Sequence, residues 1–183
     1  MRIIAGKFRG RRLFAPRGLE VRPTADRVKE AVFSILGPRV TGAAVLDLFA
    51  GTGNLGLEAL SRGADRAVFV DHLPKALAAL ERNLKALGLG DRARIVRADL
   101  AKGPGPWKDL GPFDLIFLDP PYGQGLVARA LGLVLRAGAA APDALAVAEH
   151  AAGEKDQINP PGWSIVQSRA YGHTMVTFLS NAH

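Results

Sequence analysis

The chain has 183 residues, 48% of them apolar and 22% charged, and a formal net charge of +7. Such proportions describe a globular domain with a real core, and they exclude a disordered or fibrous chain; no apolar run has the length of a membrane span, and the basic N-terminus lacks the apolar region of a signal peptide. With no cysteine, and with four histidines scattered at 72, 150, 173 and 183, disulfide, thiolate-metal and thiol chemistry are excluded, so a cytoplasmic protein without a metal is expected.

The charge is concentrated at one end. Residues 1–30 carry nine Lys and Arg against three acids, which accounts for six of the seven net charges. Within that segment, residues 2–15 (RIIAGKFRGRRLFA) interleave short apolar stretches with Arg and Lys around Gly6 and Gly10, predicting a small β-hairpin with a basic exposed face. After a loop from Pro16 to Pro23, Thr24 is placed to cap a helix with Asp26 in its first turn. Val28, Ala31, Val32, Ile35 and Leu36 supply the apolar stripe of that helix, and Gly37 and Pro38 end it. Residues 1–40 therefore read as a basic extension packed on a core of residues 41–183. Arg9, Arg11, Arg12, Arg22 and Arg27 are its candidate contacts to a polyanion, and nucleic acid is the polyanion such a segment fits best.

From residue 43 onward strands and helices alternate. Strands are expected at 44–49, 67–70, 93–97, 113–118 and 144–149, and helices at 55–62, 74–87 and 126–135. Residues 102–112 and 151–162 read as loops rich in Gly and Pro or in polar residues. Strands at 163–169 and 174–179, joined through AYGH, read as a closing antiparallel hairpin. Repeated β-α-β units imply an α/β fold with a parallel, doubly wound sheet.

The stretch DLFAGTGNLG (Asp47–Gly56) places G-x-G-x-x-G between a strand and a helix, and Asp71 follows about 20 residues later, where an acid reaches a ribose hydroxyl. Asp47 argues against a bound diphosphate, because its carboxylate would repel one at that turn. It favours a ligand carrying an ammonium and a sulfonium. S-adenosyl-L-methionine has both, with a ribose, an adenine and no phosphate. Three acids then fall near the ends of successive parallel strands: Asp47 toward the amino-acid end of such a ligand, Asp71 at the ribose and Asp99 at the adenine amine. A single acid there is as readily a helix cap or turn residue; three in succession beside a glycine turn are not.

FDLIFLDPPY (Phe113–Tyr122) is a buried strand ended by two prolines that cannot extend a sheet ladder. Open α/β sheets bind ligands at that end of a strand. The exocyclic amine of a nucleobase is a poor nucleophile, because its lone pair is delocalised into the ring. The Asp119 carboxylate and the Pro120 carbonyl can accept its two N–H groups while Pro121 stiffens the turn and Tyr122 stacks on the ring. In-line alignment with the methyl donor would supply the rest of the rate, and a base paired in a helix would have to be flipped out to reach the site.

Four blocks now carry a family resemblance: RIIAGKFRGRRL at the start, RPTADRVKEAVFSIL (Arg22–Leu36), VLDLFAGTGNLGLEALSRGA (Val45–Ala64) and FDLIFLDPPY, with YGHT (Tyr171–Thr174) near the end. Together they resemble, nearly end to end, the RsmD family of bacterial enzymes that methylate N2 of a guanine in small-subunit ribosomal RNA. The resemblance implies a Rossmann-like class I methyltransferase fold with a mostly parallel seven-stranded sheet and one antiparallel strand. It implies S-adenosyl-L-methionine held by Asp47, Phe49, Gly51, Gly53, Asp71, Asp99 and Leu100, with Asp119 beside them, and a guanine held by Asp119 to Tyr122. Leu73 departs from the acid or polar group that relatives often carry near the ribose. The family also implies small-subunit RNA within an assembling 30S particle as the substrate, and a monomer is the default expectation.

Other readings make different demands. A methyltransferase acting on adenine N6 in DNA or RNA shares D-P-P-Y, but the DNA enzymes carry a sizeable target-recognition region, for which residues 1–40 leave little room. A dinucleotide-dependent oxidoreductase would need a hydride-transfer site, and no His/Lys/Tyr set for one is evident. A non-catalytic RNA-binding protein would have no use for an intact donor site and D-P-P-Y.

Overall fold

In the computed structural model, which describes residues 1–16, 23–153, 158 and 160–181, the alternation of strands and helices builds one seven-stranded sheet. The strands are β1 (Ala44–Leu48), β2 (Arg66–Asp71), β3 (Ala93–Arg97), β4 (Phe113–Leu118), β5 (Ala140–Ala151), β6 (Trp163–Tyr171) and β7 (Thr174–Asn181). Their order is β3-β2-β1-β4-β5-β7-β6. Pairing is parallel from β3 through β5, and β7 runs antiparallel to both β5 and β6. The expected class of fold, its strand number and its one reversed strand are all present. β1 is the middle one of the five parallel strands, paired on both edges, and its run of Val45, Leu46 and Leu48 is fully buried, as a parallel strand covered on both faces requires.

Helices α1 (Pro23–Leu36), α2 (Asn54–Ser61) and α3 (Pro74–Leu87) cover one face of the sheet, and α4 (Leu126–Arg136) covers the other. Pro74 opens α3, where its missing N–H costs nothing, and Gly88 closes it in the left-handed region. The stripe of α1 is rotated from the one expected. Val28, Val32, Phe33 and Leu36 are buried, with the Phe33 ring 5.6 Å from that of Phe117, while Ile35 is exposed. The helix docks through the i, i+4, i+5, i+8 face because the aromatic ring fills the space above β4. It starts at Pro23, so Thr24 falls within it, and the cap expected of the Thr24 side chain lies outside the described residues.

Three expected elements differ in detail. The N-terminal hairpin forms around one bridge, Arg2 to Arg12, with the Ile3 N–H donating to Arg11 O, Gly10 N–H to Ile3 O and Leu13 N–H to Met1 O, and side chains of the core take up further backbone groups. The loop at 102–112 contains a 3₁₀ turn, Gly105–Leu110, which buries Trp107 completely under the α4 face. β5 starts earlier and ends later than 144–149. Pro142 lacks a donor and Asp143 sits at φ 60°, so the pairing with β4 shifts, with Phe113 facing Ala140 and Leu115 facing Leu145.

A candidate methyl-transfer site at the sheet rim

The strand register brings the carboxyl ends of β1, β2, β4 and β5 level with one another. Leu48 faces Val70 on one side and Leu118 on the other, and Leu118 faces Ala148. Whatever follows these positions is therefore gathered along one rim: the glycine turn after β1, Asp71 on β2, Asp119 after β4 and Glu149 on β5. β3 adds Asp99 at the far end.

The glycine turn is held by acids. Asp47, only 2% exposed, accepts the Gly56 N–H at 2.8 Å. Burial raises its pKa to about 7, which the Gly56 hydrogen bond opposes and the charge of Asp71 reinforces. Asp71 accepts the Gly51 N–H at 2.8 Å through one oxygen and the Leu73 N–H at 2.9 Å through the other. Asp99 accepts the Ala101 N–H at 3.0 Å. Phe49 has φ 63°, a left-handed conformation that is costly for an aromatic residue and accumulates at functional sites. The glycines differ in purpose. At Gly51 (φ +55°) a side chain would project into open space, whereas one at Gly53 would strike Leu80 at 2.5 Å, and one at Gly56 would strike Phe69 at 2.3 Å. Gly51 keeps room for a ligand, and the other two permit α2 to pack.

Three cavities run along this rim, and Phe49 borders all of them. One of about 180 Å³ lies among Asp71, Ala98, Asp99, Leu100, Ala101 and Leu126. The next, of about 370 Å³, is bounded by Asp71, His72, Leu73 and Asp119 to Tyr122. The largest, of about 580 Å³, reaches from Ala50, Gly51 and Thr52 past Asp119 and Glu149 to the β6–β7 turn, with Val28 and Lys29 of α1 on its wall. A long, flat ligand with an adenine-sized end fits this succession. The residues suit S-adenosyl-L-methionine by their chemistry as well: a space free of Cβ at Gly51, acids at the ends of three strands, and an apolar slot at Leu100 and Leu126. Among the described residues there is no group of three His, Asp or Glu that could hold a metal ion.

Of the expected site residues, Phe49, Gly51, Asp71, Asp99, Leu100, Asp119, Pro120, Pro121 and Tyr122 line these cavities. Asp47 and Gly53 stand behind the turn. Asp119 is exposed to the cavity. Desolvation by the protein packed around its carboxyl, with the charges of Glu149 and Asp47, raises its pKa above the usual carboxylate range. Tyr122 is expected to stack through its ring. Its hydroxyl is tied down, donating to Glu149 Oε1 at 3.3 Å and lying 3.3 Å from Thr174 Oγ1. Glu149 is the site residue that sequence reasoning missed. Burial raises its pKa, and the Tyr122 hydroxyl partly offsets that rise. The signal was available, since Glu149 is one more acid near the end of a buried strand.

Arg9, Arg11, Arg12 and Arg27 are all exposed, and Arg22 lies outside the described residues. What holds the basic segment is polar and was not anticipated. Glu58, fully buried on α2, accepts the N–H groups of Ile4 and Ala5 and pairs with Arg62 at 2.7 Å and Lys29 at 3.5 Å. Lys29, 1% exposed, also donates to Arg2 O and Asn54 Oδ1, both at 2.7 Å, and its desolvation lowers its pKa. Asn83 on α3 accepts the Phe14 N–H and donates to Phe14 O. Residues 1–14 are thus fastened to α1, α2 and α3 by side chains, with Ile3 and Leu13 in the core.

Comparison with known proteins agrees with this fold. The family model described as Conserved hypothetical protein 95 matches residues 1–180. The ribosomal RNA small subunit methyltransferase D of Haemophilus influenzae is 37% identical, the match covering 94% of this chain and 89% of that protein. Its namesake in Escherichia coli K12 is 36% identical, with 94% and 85% covered. The solved structure of yhhF from Escherichia coli superposes with a TM-score of 0.85 at 36% identity, covering 99% of this chain and 97% of that one.

Proposed function

The chain belongs to the family of Conserved hypothetical protein 95, the RsmD family, and from that membership we propose that it transfers a methyl group from S-adenosyl-L-methionine to the N2 amine of a guanine in small-subunit ribosomal RNA. The observation that carries this reading is the shared border of two motifs: the glycine turn and the Asp119–Tyr122 turn open into one cavity across Phe49. When bound, the cofactor supplies a methyl group activated on a sulfonium. Asp71 and Asp99 suit its ribose and adenine, with Leu100 under the ring, and the carboxyl of Asp47 suits its cationic end. Asp119 and the Pro120 carbonyl hold the amine of the target base, and Tyr122, fixed by its hydroxyl, offers a ring face for stacking. Catalysis then rests on alignment and on removing water from the groove.

The exposed Arg9, Arg11, Arg12 and Arg27 supply sequence-independent phosphate contacts to the RNA. Residues 1–40 act as the RNA-contacting extension and 41–183 as the catalytic part. The substrate is read as an assembling small-subunit particle in the cytoplasm and the enzyme as a monomer. The test is methyl transfer from labelled S-adenosyl-L-methionine to small-subunit particles, naked small-subunit RNA and DNA in parallel. Label in N2-methylguanosine of the RNA is expected; label in DNA adenine, or none in RNA, would overturn the reading.

A further inference from the structure

Asp119 and Glu149 form a pair of acids that methyl transfer by itself does not require. They follow Leu118 and Ala148, which face each other in the parallel β4–β5 ladder, and both line the 580 Å³ cavity. Among the described residues no N–H is directed at Asp119, and Glu149 has only the Tyr122 hydroxyl, at 3.3 Å. Two neighbouring carboxylates with spare acceptor capacity suit a ligand that presents two neighbouring donors. Guanine does so on its Watson–Crick edge, where N1–H adjoins the N2 amine. Adenine does not, because its N1 is an acceptor beside the N6 amine and would meet a carboxylate lone pair with its own. We propose that Glu149 is the residue that selects guanine, accepting N1–H while Asp119 accepts from the N2 amine. Tyr122, itself held by Thr174, sets its carboxylate in place, so the start of β7 belongs to the base pocket. This inference rests on the function proposed above and deepens it, since the same pocket then discriminates between bases that the D-P-P-Y turn alone would accept.

Glu149→Gln keeps shape and burial but replaces one acceptor oxygen by a donor. With small-subunit particles as substrate, the expected result is a fall of about 100-fold in N2-methylguanosine formation. Melting temperature and S-adenosyl-L-methionine affinity by calorimetry should stay close to wild type, and the ratio of N6-methyladenosine to N2-methylguanosine should rise. The kcat/KM of the wild type should increase with pH as the acids ionise, and the variant should lose one of those ionisations. The other titratable groups facing the pocket are Asp47 behind β1, Lys29 on α1, Tyr122, and Tyr171 and His173 at the β6–β7 turn, all of which the variant retains. Tyr122→Phe, which frees Glu149, should show a smaller loss in the same direction. A Glu149→Gln rate within threefold of wild type, or an unchanged pH profile, would overturn the proposal while leaving the methyltransferase reading intact. A wild-type enzyme that labels no guanine would overturn both.

Discussion

The rim of the sheet has two halves that use the same residue type differently. On the β1–β2–β3 side, each of Asp47, Asp71 and Asp99 takes a backbone N–H, from Gly56, Gly51 and Ala101 respectively. Those carboxylates shape turns before any ligand arrives. On the β4–β5 side, Asp119 and Glu149 face a cavity, and among the described residues only Glu149 has a donor, the Tyr122 hydroxyl. A pre-satisfied acid preorganises a loop and tolerates burial; an acid with spare lone pairs is costly in the free protein and gains on meeting donors. In the function proposed above, the first half receives the cofactor and the second grips one edge of the base.

The largest effect that would sharpen this contrast is expected from Asp119→Ala. Transfer should fall by about 100- to 1,000-fold, while S-adenosyl-L-methionine affinity changes little. A comparable loss of cofactor affinity would break the division between the halves.

Asp47→Asn should act on stability and on its pH dependence instead. The folded-state pKa of Asp47, about 7, lies above that of an unfolded aspartate. Its contribution to stability is therefore fully present below about pH 4 and is lost as pH rises through about 7. The melting temperature of the cofactor-free wild type should fall between pH 5 and pH 8, and the asparagine variant should fall less. Equal slopes would mean that this carboxyl does not carry the effect.

The smallest change concerns the periphery. Replacing Arg9, Arg11 and Arg12 together by Ala should leave folding unaltered and lower the slope of log affinity for small-subunit RNA against log salt by about 2. An unchanged slope would assign those arginines to surface charge alone.

Much of the rim was legible in the sequence because its signals are local. Asp47, Gly51, Asp71, Asp99 and Asp119 each stand at or just past the end of an apolar run, and a run that ends in Gly or Pro announces a turn. Gly53 and Gly56 were equally visible as glycines, but their purpose was not, because Leu80 and Phe69, which demand them, come from other elements. Glu149 carries the same local signal, an acid near the end of a buried strand, but its place beside Asp119 follows from the β4–β5 register. The clamp of Lys29, Glu58 and Asn83 on residues 1–14 escaped for the same kind of reason. In the sequence these are charges and an amide on amphipathic helices, and burial alone makes them fasteners. Breaking such a buried ion pair typically costs about 3–5 kcal/mol.

The sequence by itself determined the alternation of elements, the parallel sheet, the two turns that end β1 and β4, and the basic character of residues 1–30, because hydrophobic period, Gly, Pro and net charge act over a few neighbouring residues. Only the tertiary structure decided which acids brace a turn and which face a cavity. It also decided that Phe33 rather than Ile35 enters the core, and that Glu149 stands beside Asp119. Those outcomes depend on strand register and on the packing of residues far apart in the chain, which no local pattern encodes.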